Sequence, residues 1–319
     1  MRPLLLGVAA LAFAIPAMAQ NYPVRPIHFI VPLAAGGGTD RIARSLANRL
    51  AQALGQPVVV DNRTGASGVI GTDATAKAAP DGYTIMIATP TFTVNPSLMS
   101  KLPYDASKDF EPISLIATSP HLLAVNPSLP IKSVRELVTF AKSQSQPLTF
   151  SSGSVGGSSH LAGELFSSLA GIKMLHVPYK GTGEAAIAIV GGTVSLAFLD
   201  VQTMLPFVKS GRLRGIAVTG PTRSSSAPDL PTVAESGYPG FQSGVWYGVL
   251  APAGTPRNIV ARLNTEIVKI VQSPDMRKTM SSEGAEPVGS TPEEFSELIK
   301  SEIPRWKKVI GEAGIAQTN

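Results

Sequence analysis

The sequence contains no cysteine and comparatively few charged and aromatic residues. With 0 Cys among 319 residues, disulfide bonds, thiolate metal ligands and thiol chemistry are excluded. The stability of the chain must therefore come from a large hydrophobic core, and its length is sufficient for two domains. Hydrophobic residues make up 44% of the chain and charged residues 15%, which is typical of a globular protein and not of a disordered one.

The sequence also lacks an apolar run long enough to span a bilayer. Its longest run, LLLGVAALAFAI, follows Met1-Arg2 and precedes the sequence PAMA. A charged start, about a dozen apolar residues and an A-x-A site are typical of a secretory signal peptide. We expect residues 1–19 to be this signal and to be cleaved after Ala19. Because no cysteine follows the site, a lipoprotein is excluded, and we expect no stable membrane anchor.

A basic surface for nucleic acids is absent as well. The formal net charge is +5, and it becomes +4 once Arg2 leaves with the signal. The only tight basic cluster is Arg305, Lys307 and Lys308 around Trp306, which we interpret as the solvated face of a C-terminal helix. Nucleic-acid binding would require a basic stripe interleaved with aromatic residues. The mild positive charge favours an anionic small molecule instead.

Short apolar runs alternate with helix-like stretches along most of the chain. Runs of this kind are typical of parallel strands buried on both faces, so the sequence predicts an α/β fold. A helix is predicted after Ser133, whose side chain can cap it with Glu136 in the third helical position. The predicted strands include 27–33, 57–62, 83–89, 113–118, 121–127, 148–153, 173–179, 194–200 and 214–220.

Two apolar stretches, 122–127 and 245–252, are interpreted as crossings between two lobes. The first lobe would then be discontinuous, formed by residues 20–120 and 248–319. The second lobe, residues 121–247, would be inserted between these two parts.

Four glycine-rich loops stand between a predicted strand and a predicted helix. Glycine allows backbone N–H groups to approach a ligand closely, and a helix N-terminus adds a partial positive charge. Loops at the carboxyl ends of strands in an open α/β sheet lie near each other, so together they suit a carboxylate. Taken singly, each loop is better explained as a tight turn with a capped helix, whereas four loops at equivalent positions favour binding. The loops are GGGTD (36–40), TGASG (64–68), SSGSVGGSSH (151–160) and YKGTGE (179–184).

Motifs for catalysis are missing. The sequence has no G-x-S-x-G elbow and no G-x-x-x-x-G-K-[ST] loop, and its four histidines have no paired metal spacing.

Three side chains near the glycine loops have candidate roles. His160 follows the serine loop and could donate to a ligand. Asp200 could contact an amino or hydroxyl group, or it could simply cap the next helix. Asp40 is expected to brace its own loop, because a carboxylate would repel an anion. We therefore expect no catalytic residues, no metal and no cofactor.

In sequence order, the quoted loops and strands resemble one known family. IVPLAAGGGTDRIAR, VVVDNRTGASGVIGT, SSGSVGGSSHLAGELF, VPYKGTGEA, VGGTVSLAFLD and GVLAPAGTP are similar to the Bug family, the extracytoplasmic solute receptors of tripartite tricarboxylate transporters. The resemblance extends from Tyr22 to the end of the chain. It implies a two-lobed periplasmic binding protein of the Venus-flytrap type, with parallel-rich sheets flanked by helices and a carboxylate held between the lobes.

The resemblance also implies a set of ligand-binding residues. Glu184 stands where the family often has proline, and beside a carboxylate site it would disfavour a second acid group. The implied ligand-binding residues are Gly36, Gly37, Thr39, Thr89, Ser154, Ser158, His160, Tyr179, Gly181 and Asp200.

The expected function is that of a monomeric periplasmic receptor, not an enzyme, that hands an organic carboxylate to membrane transporter subunits. Two alternatives remain: an exported α/β hydrolase or lyase, and a ligand sensor for a signalling partner. The sequence does not distinguish among dicarboxylates, tricarboxylates, aromatic acids and acidic amino acids as ligands.

Overall fold

The computed structural model describes residues 22–282 and 284–315, and the predicted signal peptide lies outside them. The described residues form strands and helices that alternate along the chain, as expected. The strands are β1 (Ile27–Val31), β2 (Val58–Asn62), β3 (Thr84–Ala88), β4 (Phe110–Val125), β5 (Leu148–Ser152), β6 (Met174–Pro178), β7 (Leu196–Asp200), β8 (Arg214–Val218), β9 (Gly244–Pro252) and β10 (Glu286–Pro287). The helices are α1 (Gly38–Leu54), α2 (Val69–Ala76), α3 (Thr91–Leu98), α4 (Val134–Ser143), α5 (Ser158–Ala170), α6 (Thr182–Val190), α7 (Val201–Lys209), α8 (Arg257–Val271), α9 (Pro274–Ser282) and α10 (Pro292–Glu312).

The strands pair in the order β2-β1-β3-β9-β4-β7-β5-β6, and β8 and β10 also pair with β4. Four pairs are parallel, as the short apolar runs predicted: β1–β2, β1–β3, β5–β6 and β5–β7. In contrast, β4 and β9 join these parallel groups through antiparallel pairs, which the apolar pattern did not indicate. The predicted α/β class is confirmed, with mixed rather than purely parallel pairing.

Strand β4 belongs to two groups of strands. The sequence predicts separate strands at 113–118 and 121–127, and this was wrong, because one strand of 16 residues covers both. Its first part, through Pro120, pairs with β9, and from His121 onward it pairs with β7 and β8. Pro120 has no N–H to donate, and the strand tolerates it at the point where its partners change. We call the β2-β1-β3-β9 side the first sheet and the β7-β5-β6 side the second sheet.

Helices cover both faces of each sheet. In the first sheet, Phe29 and Ile85 pack with α1 and α8, while Met86 on the opposite face packs with residues of α3 and α10. In the second sheet, Phe150 packs with α4 and α5, and Leu199 packs with α6 and α7. This arrangement explains why the strands read as continuous apolar runs and not as alternating ones.

Helix α10 connects the cores of both sheets. Its Phe295 lies in a cluster with first-sheet residues, whereas its Trp306 and Ile310 lie in a cluster with second-sheet residues. We predicted that the basic cluster near its end is solvated, and this was wrong in part. Trp306 is buried, and Arg305 is partly buried, where it pairs with Glu302 at 3.5 Å and donates to the Gln242 carbonyl.

Candidate functional site

One cavity of about 390 Å³ is lined by residues from both sheets, and we call it the cleft. First-sheet elements contribute residues that follow β1 and β3, and second-sheet elements contribute residues that follow β5, β6 and β7. These are the carboxyl ends of the strands, where open α/β sheets bind ligands. The strands β4 and β9 supply Ser119, Val245 and Tyr247 to the wall between the two sides.

Five helices begin at the cleft wall. The first-turn N–H groups of a helix have no partner within the helix, and they carry a partial positive charge that attracts anions. Several helix N-termini around one cavity therefore make a site for a negatively charged group. The residues from these first turns that line the cleft are Gly38 and Thr39 of α1, Thr91 of α3, Ser158 of α5, Thr182 of α6, and Gln202 and Thr203 of α7.

Side-chain N-caps are present on two helices whose N-terminal residues do not line the cleft. Helix α4 is capped by Ser133, which accepts the Glu136 N–H as the sequence predicts, and α10 is capped by Thr291 in a capping box with Glu294. Within the described residues, none of the five cleft helices has a side-chain N-cap. Helices α2 and α8 lack one too, so the missing cap is not specific to the cleft. No side-chain cap therefore competes with a ligand for the first-turn N–H groups of the cleft helices, although in α3 the Phe92 and Thr93 N–H groups already donate to the carbonyls of Thr89 and Pro90.

Helices α1, α5 and α6 share one local design. In each, the N-cap residue is glycine, and the third helical residue accepts a hydrogen bond from the N–H just before that glycine. The acceptor is thereby turned toward its own loop, which it holds in place. At α6, Gly181 has a φ of +115°, which only glycine adopts without strain. The donor and acceptor pairs are Gly36 and Asp40 at 2.8 Å, Gly156 and His160 at 2.9 Å, and Lys180 and Glu184 at 3.2 Å.

Asp40 braces the first loop, as predicted. Its carboxylate is buried, and it also accepts hydrogen bonds from Arg44 at 3.0 Å and Asn62 at 2.9 Å. Burial alone would raise the pKa of Asp40, but the hydrogen bonds from Arg44, Gly36 and Asn62 hold it below its ordinary value. The carboxylate is therefore ionised at neutral pH, and it accepts hydrogen bonds from all three of these residues.

His160 has the corresponding position in the serine loop, but it is an imidazole. Its Nδ1 accepts the Gly156 N–H, and its Nε2 lies 3.5 Å from the Glu164 carboxylate. The ring stacks on His176 with 3.6 Å between centroids, and His176 Nε2 lies 2.6 Å from Ser152 Oγ. Burial, together with the neighbouring His160, lowers the pKa of His176 to about 4. Both nitrogens of His160 thus have partners within the protein.

The cleft wall carries one basic and one acidic side chain among the described residues, Arg41 and Asp200. Arg41 follows Asp40 in α1 and donates to the Gly36 carbonyl at 2.7 Å. Asp200 ends β7 and stands at the N-cap position of α7, yet its side chain makes no capping hydrogen bond. Of the two roles left open for Asp200, the structure therefore does not support capping. The two charges come from opposite sheets.

His121 is a buried residue behind the cleft that the sequence did not indicate. Its Nε2 lies 3.3 Å from Oγ of Ser158, a residue of the cleft wall, and its Nδ1 lies 3.3 Å from Oγ of Ser243. In the β4–β7 ladder His121 is in register with Asp200. Burial lowers the pKa of His121, and the charge of Asp200 opposes part of that shift. His121 thus stays neutral and contacts the cleft through Ser158.

Two aromatic residues complete the wall. Tyr247 of β9 faces the cleft, while Trp246 beside it faces a second cavity of about 110 Å³, because successive strand residues point to opposite faces. Trp306 lines both cavities, and its indole N–H donates to buried Glu302 at 3.0 Å. The same Glu302 oxygen accepts from Trp246 at 2.9 Å. Glu302 thus fixes aromatic side chains from two elements.

The structure brings part of the predicted ligand set together. Thr39, Thr89, Ser158 and Asp200 line the cleft. Within the described chain, the other six predicted residues do not line the cleft. Three residues next to some of them do line it, namely Gly38, Gly156 and Thr182. Those six residues are Gly36, Gly37, Ser154, His160, Tyr179 and Gly181.

Ser154 and Tyr179 line a different, open cavity with Lys180 and Glu184. Glu184 therefore does not face the cleft, and the expected effect on a second acid group loses its structural basis. Residues 64–68, the TGASG loop, also do not contribute to the cleft wall as described. Glycine-rich loops at strand ends are easy to recognise, but the direction in which each side chain points depends on the loop conformation, which sequence spacing does not give.

Arg41, Thr182, Tyr247 and Trp306 line the cleft but were not predicted to do so. Arg41 had a usable signal, because it directly follows the first glycine loop at the start of a helix. Tyr247 and Trp306 come from distant parts of the chain and had no local signal.

Within residues 22–282 and 284–315, no cluster of three His, Cys, Asp or Glu side chains could hold a metal ion. In the same residues, no helix is both long enough and apolar enough to cross a membrane.

Comparison with known proteins gives consistent matches. The family described as "Tripartite tricarboxylate transporter family receptor" matches residues 42–315. Protein BugT of Bordetella pertussis is 40% identical over 309 residues, which cover 96% of this chain and 95% of BugT.

Three solved structures are similar over nearly their whole length. Rpa4515 of R. palustris with adipate is 37% identical, with a TM-score of 0.75 and coverage of 93% of this chain and 100% of that chain. The periplasmic binding protein BugD is 35% identical, with a TM-score of 0.72 and coverage of 93% and 100%. MatC (Rpa3494) from Rhodopseudomonas palustris with bound malate is 33% identical, with a TM-score of 0.71 and coverage of 91% and 100%.

Proposed function

The chain belongs to the tripartite tricarboxylate transporter receptor family, and from this membership we propose that it captures a small organic carboxylate for a membrane transporter. The observation that carries the proposal is the set of five helix N-termini around one cleft. Their N–H groups and hydroxyls are donors, and donors suit an acceptor with a negative charge.

The ligand that we propose is a small acid with two polar ends. Rpa4515 is described with adipate and MatC with malate, which are both dicarboxylic acids. In this chain, one acid group would lie at the helix N-termini near Thr39 and Ser158. Arg41 would meet a second acid group, and Asp200 would face a hydroxyl, an ammonium or a water, because two close carboxylates repel. Gly36, Gly37, Ser154, His160, Tyr179 and Gly181 would support this site through loop geometry.

We propose that binding closes two lobes over the ligand. The lobes would be residues 20–120 with 248–319, and residues 121–247. Strand β4 runs through both sheets, and α10 packs in both cores, so these elements would form the hinge region. A ligand that contacts both lobes only in the closed form binds that form better and shifts the population toward it.

No reaction is part of the proposal. The pair Ser158 and His121 resembles a nucleophile with its base, but burial lowers the pKa of His121. A general base works best when its pKa lies near the working pH, and a buried neutral imidazole resists the proton that it would have to accept. A receptor role uses the same hydroxyl as a hydrogen-bond donor.

The proposed location is the periplasm. BugD is a periplasmic binding protein, and family members of this kind act outside the cytoplasm. Export would use residues 1–19, with cleavage after Ala19. The partners would be the membrane subunits of the transporter, and the receptor would act as a monomer.

A thermal-shift screen of organic acids tests the proposed function. A single-site ligand at 100 times its Kd should stabilise the folded chain by about 2.7 kcal/mol. Adipate, malate, citrate and aspartate form the first panel, with glucose and putrescine as uncharged and cationic controls. Chromatography of the recovered acid checks that it is unchanged. Stabilisation by the controls alone, or consumption of an acid by the pure protein, would exclude the proposed role.

A further inference from the structure

His121 is held rigidly between two serines. Its side chain is 0% exposed, and each of its ring nitrogens lies 3.3 Å from a serine hydroxyl, Ser158 on the cleft side and Ser243 on the other. Thr219 holds the backbones of His121 and Ser243. Its Oγ1 accepts the His121 N–H at 2.7 Å and donates to the Ser243 carbonyl at 2.7 Å. The backbones that carry the imidazole and the Ser243 hydroxyl are therefore held together by one side chain.

A neutral imidazole has one nitrogen that donates and one that accepts. Two arrangements of protons are therefore open to this row of three residues. In the first, Ser243 donates to Nδ1, and Nε2–H donates to Ser158 Oγ. In the second, Nδ1–H donates to Ser243, and Ser158 donates to Nε2.

The two arrangements have opposite consequences for the cleft. A serine hydroxyl carries one proton. If Nε2–H donates to Ser158, the Ser158 proton is available to a ligand, and the serine acts as a donor. If Ser158 donates to Nε2, its proton is used, and the serine offers the ligand only lone pairs. A carboxylate, which accepts hydrogen bonds and does not donate them, requires the first arrangement.

We propose that His121 is a positioning residue that makes Ser158 a hydrogen-bond donor to a bound carboxylate, with Ser243 donating to the opposite ring nitrogen. This inference rests on the proposed function and adds a determinant of ligand class to it. His121 does not touch the ligand. It selects acids over ligands that donate at the same point, because its tautomer sets the direction of the Ser158 hydrogen bond.

A double-mutant cycle tests whether His121 acts through Ser158. Adipate and malate binding is measured by titration calorimetry for the parent chain, Ser158→Ala, His121→Leu and the double variant. Ser158→Ala should weaken binding about tenfold, as expected for the loss of a donor to a charged group. His121→Leu should weaken binding to a similar extent, and the double variant should bind no more weakly than Ser158→Ala alone. Losses that multiply in the double variant would overturn the proposal, and so would unchanged binding by His121→Leu.

His121→Gln is the conservative variant, because its amide can reach toward Ser158 and donate from a similar position. It should restore part of the lost affinity, and it also serves if His121→Leu fails to fold. Failure of His121→Gln to bind better than the Leu variant would count against a directed hydrogen bond.

Nitrogen NMR of the parent chain labelled at its histidines shows which ring nitrogen of His121 carries the proton. A merely structural role of His121 would not require a particular nitrogen to carry it. With adipate bound, His121 should carry its proton on Nε2 and have an unprotonated Nδ1. A proton that stays on Nδ1 in the bound state would overturn the inference even though the acid binds. If the parent chain binds no acid in calorimetry, the proposed function itself fails, and the two failures are thereby distinguished.

Discussion

The two sides of the cleft use the same loop design with different chemistry. On the first-sheet side, the loop before α1 is held by Asp40, a buried carboxylate with partners from Arg44 and Asn62. On the second-sheet side, the loop before α5 is held by His160, an imidazole stacked on His176. The first acceptor is an ion whose pKa is lowered, so it changes little near neutral pH.

The charges on the two sides differ as well. Arg41 contributes a cation from the first-sheet side, and Asp200 contributes an anion from the second. A ligand that bridges the two sides would therefore meet a cation on the first side, an anion on the second side and hydroxyl groups on both. From this comparison we propose that both sides contribute to the affinity for acids, and that the charges of Arg41 and Asp200 determine which acids bind.

Asp40→Ala should give the largest effect, because it removes a buried ion with several hydrogen bonds. We expect a loss of about 3 kcal/mol in the free energy of unfolding, since breaking a buried charge network costs a few kcal/mol. Adipate binding should fall with it. Because the pKa of Asp40 is lowered in the folded chain, its stabilisation is present above its ordinary pKa of 3.8 and is lost at lower pH.

Glu184→Ala is the matched control, because Glu184 has the same helical position in α6 but is exposed. Its unfolding free energy should stay within about 0.5 kcal/mol of the parent value in urea titrations. Equal losses in the two variants would mean that the buried Asp40 carboxylate stabilises the chain no more than the exposed Glu184 carboxylate does.

Arg41→Gln should weaken adipate binding about tenfold, because the loss of one charge pair in a partly screened cleft is worth roughly 1.4 kcal/mol. Hexanoate, which has the same number of carbons and one acid group, should lose much less. Lys180→Gln is the control, since Lys180 lines the separate open cavity. Titration calorimetry that shows equal losses for adipate and hexanoate would mean that Arg41 does not meet a second acid group.

Asp200→Asn should change selectivity by a few fold. The substitution removes a negative charge from the second side, so adipate should bind more tightly and 2-aminoadipate, which adds an ammonium, more weakly. Exposed Asp229→Asn should change neither affinity. If Asp200→Asn weakens both acids equally in calorimetry, a ligand-reading role for Asp200 is wrong.

The pH dependence of the second side should be the smallest effect. His176 has a pKa of about 4 in the folded chain and an ordinary value of 6.5, so the unfolded chain binds more protons between these values. Stability should therefore rise with pH through this window and fall as the pH drops from 6.5 toward 4. His176→Gln should flatten this slope in thermal unfolding curves relative to those of the parent chain. An unchanged slope in His176→Gln would exclude the stacked pair as its source.

The sequence was sufficient for the class of fold, for the family and for the general nature of the site. The resemblance to the Bug family is confirmed by the family match and by BugT. The short apolar runs gave most strands, because strands buried on both faces must be apolar throughout. The bracing role of Asp40 followed from simple electrostatics, and the structure confirms it.

Contacts between distant residues could not be predicted in this way. The union of two predicted strands into β4 depends on a change of partners at Pro120, which is a property of the assembled sheets. The Nδ1 of His160 accepts a hydrogen bond from its own loop, which the sequence spacing did not indicate, and the ligand contact of His160 stays a prediction. His121 had no signal at all, because its two serine partners are 37 and 122 residues away in the sequence.

Mass spectrometry of the compound released from natively purified protein tests the proposed receptor role most directly. The five helix N-termini and Arg41 predict one small acid per chain, released unchanged on denaturation and able to rebind the refolded protein. A neutral or cationic compound, bound one to one and able to rebind in place of every acid in the panel, would contradict the assignment of the cleft to a carboxylate.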